Sequence, residues 1–539
     1  MSAWGRGACA ALALFLPSAV PARAATPPVT LVVQITMDQL RGDLLERYRP
    51  VLTHGFRRIE DGGYWFHHAT VDHGITVSFP GHTTLVTGMF PSHHGYTANE
   101  WWVDKGDGHW GEMEVDDDPH YALLGEPDRL GQSPRYLLAT TLGEWTKAQD
   151  PRAKAIALGT GTHIPVAYAG AKGDAAYWFD ARSGRFTSST CYGPTILPWV
   201  DAFNRDDLAK YESKTWTLTL TPRQARYALA PAAFENHGRD YRFPHVYADE
   251  AQHVAKPPQA YADWFASTPM KDEALFALAT RAVDAERLGR RGATDYLAID
   301  VGATDDIGHA FGPRSLEQLD TLARLDRALG GFLDHLDRTV GRGRYVLVLS
   351  ADHGAAEPPE LTGHGGRVSA AQIDAVLDRV DALAEGFKGD DAALADAIAA
   401  DLRRADFIAD AYTPAMLSAP TDDPYLQLYQ RTYRPGFTPN FPLWGDKPHL
   451  HHPARYGVIV RFKPDMLLDA ATSVHGSPYP MDRWVPLIFY GGTVAHGGRA
   501  GGGRTVDAAP TLAAVAGIAA PKGLDGVVLP GVARRSQQP

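Results

Sequence analysis

Six side chains that bind divalent cations, and one hydroxyl, sit in short segments scattered over the chain. They are Asp38 in Met37-Asp38-Gln39, Ser78 in Ser78-Phe79-Pro80-Gly81-His82, Asp305 and His309 in Asp305-Asp306-Ile307-Gly308-His309, Asp352 and His353 in Asp352-His353-Gly354, and the late His475. Carboxylates and imidazoles without thiolates suit a catalytic Zn²⁺ with coordination positions left open. Two such ions about 3.5–4 Å apart clamp the attacking and leaving oxygens of an in-line phosphoryl displacement. Asp305 and His309 are four residues apart, a spacing that aims both at one ion from a helical turn or tight loop. Asp352 and His353 are adjacent and need an irregular strand end, which Gly354 permits. A single Asp-His-Gly carries little weight. Asp72-His73-Gly74 repeats it just upstream of Ser78 and reads as structural or rim-lining.

Three of these segments follow apolar, β-branched runs that read as buried strands: Leu31 to Ile35, Tyr296 to Ile299 and Tyr345 to Leu349. Further strand-like runs are Ala153 to Leu158 and Val485 to Tyr490. In open α/β sheets ligands bind beyond the carboxyl ends of the strands, where the Asp and His residues would then lie. Between the runs, Leu316, Leu319, Leu322, Leu325, Leu329, Phe332 and Leu336 form a stripe at helical spacing that predicts a core-facing helix over Leu316 to Leu336. Pro80 suits the first turn of a helix through Thr83 to Thr87, which places Ser78 at or near its N-cap. There the backbone N–H groups favour an incoming anion.

The fold expected is α/β: a doubly wound, mostly parallel sheet with helices on both faces, in one catalytic domain over residues 25–539. Residues 159–288 are aromatic-rich and irregular and read as an inserted cap. Residues 368–456 read as a second insertion ending in Pro448-His449-Leu450-His451-His452-Pro453, a histidine cluster with no carboxylate motif beside it.

Residues 1–24 have the layout of a cleaved secretory signal peptide: Arg6, an apolar stretch from Ala8 to Leu16, then Ala22-Arg23-Ala24. A periplasmic or secreted location is the expectation. No later segment is apolar enough to span a membrane. Cys9 falls in that peptide, so only Cys191 remains and an internal disulfide is excluded. The formal charge of −11 argues against a nucleic-acid-binding module. An anionic small-molecule substrate stays compatible, because bound cations would dominate the local field.

The segment Ser78 to Gly88, followed by Pro91, His94, Gly95 and Asn99, is similar to the nucleophile segment of the alkaline phosphatase superfamily. The likeness is to its nucleotide pyrophosphatase/phosphodiesterase and phosphate-irrepressible alkaline phosphatase branches. Asp305 to Pro313 and Ser350-Ala351-Asp352-His353-Gly354 resemble that family's two metal segments. The resemblance implies two Zn²⁺ ions, one held by Asp305, His309 and His475 and the other by Asp38, Asp352 and His353, with the Ser78 oxygen facing both. It implies attack by Ser78, a phosphoseryl intermediate, a small phosphate-ester substrate, and Asn99 as donor to a nonbridging phosphoryl oxygen.

Two departures set the expected substrate. Most relatives use threonine where this chain has Ser78, and the hydroxyl chemistry survives that change. Monoesterases of the irrepressible type carry a Lys-x-Arg pair after the strand ending at Leu158, whereas this chain reads Gly159-Thr160-Gly161-Thr162-His163-Ile164-Pro165. Without those cations a diester or nucleotide pyrophosphate is the favoured substrate. An alkaline phosphatase with a non-standard phosphate clamp is the alternative, in which Lys172 or Arg182 would reach the pocket. A sulfatase is disfavoured because His82 replaces the arginine of its nucleophile motif and Asp38 is followed by Gln39. An inactive binding protein is disfavoured because no ligand is missing. Asp306 reads as a neighbour of the metal shell, His82 as packing under the nucleophile helix, and His364 as a loop histidine. Trp101, Trp102, Tyr177 and Trp178 are candidates for stacking on a nucleobase.

Overall fold

The computed structural model describes residues 1, 28–106, 108–250, 259–469 and 471–534. The proposed signal peptide lies outside this set apart from Met1. A nine-stranded mixed sheet runs through the molecule. Its order is Gly498–Arg504, Tyr64–Thr70, Trp484–Gly491, Tyr345–Ser350, Leu31–Met37, Asp295–Val301, Ala155–Gly159, Ala175–Asp180 and Arg185–Thr187. The five strands from Tyr345–Ser350 to Ala175–Asp180 are mutually parallel. Leu31–Met37 is buried at every position, as expected of a strand covered on both faces. In register, Thr36 lies beside both Asp300 and Ser350, and Met37 beside Val301. The segments that follow these three strands therefore meet at one edge.

The predicted helix is present over Leu316–Leu336, and its seven-residue apolar stripe, Leu316 excepted, is buried. It packs with Met270–Ala285 and Gly55–Gly62 against the sheet. Two features differ from the expectations. Trp484–Gly491 runs antiparallel to Tyr345–Ser350; an apolar run carries no information on strand direction. Within the range expected to be a cap, Ala175–Asp180 and Arg185–Thr187 continue the sheet to its edge. Residues 368–456 build around a separate core from the helices Ala370–Gly386 and Asp391–Leu402 and the strand Ile408–Tyr412. Among the described residues no helix is long and apolar enough to cross a membrane.

Candidate metal centre

Asp38 is the first residue after the central strand, and Gln39 turns the chain with φ of 61°. A left-handed conformation costs a non-glycine residue about 1–3 kcal/mol, and such strain gathers at functional sites. Here it is held from both sides. The Gln39 backbone N–H donates to Asp352 Oδ1 at 3.2 Å, and its side-chain amide donates to Asp305 Oδ1 at 2.6 Å. Gly308 makes room for this: a Cβ there would lie 1.9 Å from Gln39 Oε1.

Asp305 and His309 project from the helix Ala303–Phe311, as their spacing required. His309 Nε2 is 3.3 Å from Asp305 Oδ1, His475 Nε2 is 3.5 Å from the same oxygen, and the two Nε2 atoms are 3.2 Å apart. Three ligand atoms thus converge on one point. His309 Nδ1 donates to Ser473 O at 2.7 Å, His475 Nδ1 to Thr76 O at 2.8 Å, and His353 Nδ1 to Gly354 O at 3.0 Å. Backbone carbonyls orient all three rings and leave each Nε2 available to a cation, the support usual for metal-bound histidine.

Beside this group, His353 Nε2 lies 3.3 Å from Asp38 Oδ1 and 3.1 Å from Asp352 Oδ2. Asp38 joins two overlapping ligand groups, one with His82 and Asp352 and one with Asp305 and His353. Buried Asp38 Oδ1, Asp300 Oδ1, Asp352 Oδ2 and His353 Nε2 have no hydrogen-bond partner. Buried charges of one sign without partners are costly unless cations join them. The donor set therefore fits divalent metal.

The titration shifts report the same crowding. Burial, then Asp352 and Asp305, push the Asp38 carboxyl well above its ordinary range, and burial with Asp352 does the same to Asp300. Burial lowers His475 to about 4. For His309 burial is outweighed by Asp305, and its imidazole rises to about 9. In metal-free protein the folded state therefore keeps a proton on His309 that the unfolded chain releases near pH 6.5. Stability must then fall as pH rises between about 6.5 and 9. Chelated protein should melt at a lower temperature at pH 9 than at pH 6.5, and added Zn²⁺ should erase that loss. A flat or rising melting temperature in the chelated form would contradict this reading of the cluster.

Ser78 is the first residue of the helix Ser78–Thr87, with Val77 as its N-cap. It is 8% exposed. Asn99 Oδ1 accepts the N–H of Phe79 at 2.9 Å, which fixes the amide and leaves its Nδ2 to donate. The helix approaches the Asp352 segment closely because of Gly81, where a Cβ would lie 2.4 Å from Asp352 O.

His82 departs from expectation. It lies on the helix Ser78–Thr87 itself, and its Nε2 sits among three carboxylates, 3.4 Å from Asp38, 3.3 Å from Asp352 and 3.6 Å from Asp300. Its place four residues after Ser78, one turn along the same helix, was the available signal. Asp300 was overlooked; an acid inside an apolar strand was its signal. Asp300 Oδ2 accepts the N–H of Gly161 at 3.1 Å, and a Cβ on Gly159 or Gly161 would come within 2.7 Å of it. This contact explains why the segment after Ala155–Gly159 is glycine-rich.

Two cations meet that segment. His163 Nδ1 faces Glu114 at 3.3 Å and Asp116 at 3.6 Å; burial opposes its charge, but Asp116 and Glu114 raise it to about 10. Buried Lys271 donates to Thr160 O at 3.2 Å and pairs with Asp306, the neighbour of Asp305.

The other candidates are structural. Asp72 pairs with Arg483 and Arg431, and burial keeps His73 neutral. His449 is bracketed by Asp374 and Asp381, and exposed His364 pairs with Asp465. Trp101 is a core residue against Tyr136 and Phe437, Tyr177 OH accepts from Leu197 N, and Trp178 packs on His163.

Alkaline phosphatase PhoV of Synechococcus elongatus is 33% identical over 353 residues, covering 64% of this chain and 62% of that protein. That is less than two thirds of the relative's length. Alkaline phosphatase PhoK of a Sphingomonas species is 27% identical over 527 residues, covering 93% of this chain and 90% of that protein. A crystal structure of a four-site variant of alkaline phosphatase PafA superposes with a TM-score of 0.82 at 26% identity, covering 95% of this chain and all of that one. Murine ectonucleotide pyrophosphatase / phosphodiesterase 5 in complex with AMP shares the fold, with a TM-score of 0.51 at 15% identity over 93% of this chain and 98% of that one. The family model of type I phosphodiesterase / nucleotide pyrophosphatase matches residues 32–365, well over half the chain. This protein belongs to the type I phosphodiesterase / nucleotide pyrophosphatase family, within the alkaline phosphatase superfamily.

Proposed function

We propose that this chain is an exported, two-zinc phosphomonoesterase with Ser78 as nucleophile. The observation that carries the reading is the convergence of Asp305, His309 and His475 next to Asp38, Asp352 and His353 at the strand ends. Bound there, Zn²⁺ would lower the pKa of the Ser78 hydroxyl and offset phosphoryl charge. Ser78 Oγ forms a bond to phosphorus as the bond to the alcohol oxygen breaks, giving phosphoserine, which water then hydrolyses. Asn99 Nδ2 donates to a nonbridging oxygen, its geometry fixed by the bond from Phe79 N–H.

The diester preference rested on the missing Lys-x-Arg pair. Two observations now favour the monoester. The relatives PhoV and PhoK are both alkaline phosphatases, and a histidine cation, His163, stands in the segment that lacks the pair. Both acidic contacts of His163 are made through Nδ1, so Nε2–H remains to meet the second charge of a monoester. The diester reading keeps one argument, that Glu114 and Asp116 already share the charge of His163.

With Zn²⁺ supplied, kcat/KM for an aryl phosphate should exceed that for the matched methyl aryl diester. His163→Gln should cost the monoester about 10–10²-fold and the diester less than about threefold, since a charge-assisted hydrogen bond is worth roughly 1.5–3 kcal/mol. A diester preferred by the wild type, or equal losses in the variant, would return the assignment to a phosphodiesterase.

A further inference from the structure

One residue beyond Asn99 the chain enters a two-stranded hairpin, Glu100–Asp104 against Trp110–Glu114. Its pairing sets Glu100 directly opposite Glu114 and Trp102 opposite Glu112. Successive side chains alternate between faces, so Glu100, Trp102, Glu112 and Glu114 share one face. Like charges directly opposite on an antiparallel pair are destabilising. His163 faces Glu114 at 3.3 Å, which leaves Glu100 as the member of the pair with no ion-pair partner among the described residues.

That face borders a cavity of about 390 Å³, which Trp102 and Trp444 line with Glu100, Glu112 and Asn440. Asn440 is 3% exposed. Its Nδ2 donates to Glu112, which fixes the amide orientation, and its buried Oδ1 has no hydrogen-bond partner. The cavity thus presents two carboxylates, one carbonyl oxygen without a donor, and two indoles. Three basic residues stand on its wall: Lys447 Nζ faces Asp378 at 3.4 Å, His449 is held by Asp374 at 3.2 Å and Asp381 at 2.9 Å, and His452, which burial lowers to about 4, packs on one face of Trp102 with ring centroids 4.9 Å apart. Burial, then Glu114 and Glu112, raise the Glu100 carboxyl to about 7.

We infer that this cavity is a subsite for an organic ammonium group carried by the alcohol portion of the phosphate ester. An ammonium has N–H donors for Glu100, Glu112 and Asn440 Oδ1, and a positive charge that indole faces attract. Because Glu100 directly follows Asn99, the near wall of the cavity begins one residue from the amide assigned to the phosphoryl group. The inference rests on the phosphate-ester reading of the metal centre and specifies which alcohols that centre accepts.

The test compares ω-aminoalkyl phosphates of two to six methylenes with alkyl phosphates of equal length at pH 8, where the amine is charged. At the best length the amino ester should be favoured in kcat/KM by about tenfold or more. Glu100→Gln with Glu112→Gln, and separately Trp444→Ala, should bring that ratio toward one. A wild-type ratio near one at every length, or a ratio kept in both variants, overturns the inference. A parallel titration of tryptophan fluorescence with hexylammonium and with hexanol needs no turnover. Saturable quenching by the ammonium alone, lost in the double variant, supports the subsite; no quenching, or equal quenching by hexanol, counts against it. If aryl phosphates are not cleaved either, the reading of the metal centre fails, and this titration still decides the cavity.

Discussion

Replacing Ser78 by alanine should lower kcat for phosphate-ester hydrolysis by at least about 10³-fold, or about 4 kcal/mol in barrier height. Metal content should stay near that of the wild type, because Asp38, Asp305, His309, Asp352, His353 and His475 are untouched. The helix should persist too, since Val77 rather than Ser78 is its N-cap and Gly81 keeps its contact with Asp352. The decisive measurement is mass spectrometry of acid-quenched turnover. It should place the phosphoryl group on Ser78 in the wild type and find none in the variant. A phosphoryl group on another residue, or a variant within tenfold of wild type, would remove Ser78 from the mechanism.

Loss of metal should be as damaging. Chelation should abolish activity, and Zn²⁺ should restore it. Asp38→Ala and Asp352→Ala each remove a carboxylate that faces His353 Nε2, so metal content should fall to about one ion per chain, with kcat reduced by about 10³-fold or more. Elemental analysis after dialysis checks this. Two ions retained in either variant would remove that aspartate from the ligand set.

Much of this centre was legible before any coordinates. Asp38 and Asp352 follow apolar runs that could be little else than buried strands, and the spacing of Asp305 and His309 suits one helical turn. The helix Leu316–Leu336 was bounded to the residue by its apolar stripe. What was not legible depends on contacts between distant segments. Nothing in the order of residues says that His82 ends among Asp38, Asp300 and Asp352, because its burial is set by how the nucleophile helix lies on the sheet. His163 meets Glu114 and Asp116 through a hairpin whose direction the sequence does not reveal. The edge strands Ala175–Asp180 and Arg185–Thr187 were hidden in an aromatic-rich stretch that looked irregular.

The central position of Leu31–Met37 has a further consequence, for how the chain acquires its site. Both neighbours of this strand, Asp295–Val301 and Tyr345–Ser350, come long after it in the chain: Leu31 pairs with Asp295, 264 residues on, and with Tyr345, 314 residues on. The bond from Gln39 N–H to Asp352 spans 313 residues, and the one joining His475 to Thr76 spans 399. Closing loops of that size must precede the contacts that reward it, so folding of such a topology is slow. A nascent chain carries Ser78 long before His475 exists to join Asp305 and His309. On the proposed assignment, hydrolytic competence would wait until His475 has been synthesised, and a chain truncated before it would expose an acidic, unfinished centre.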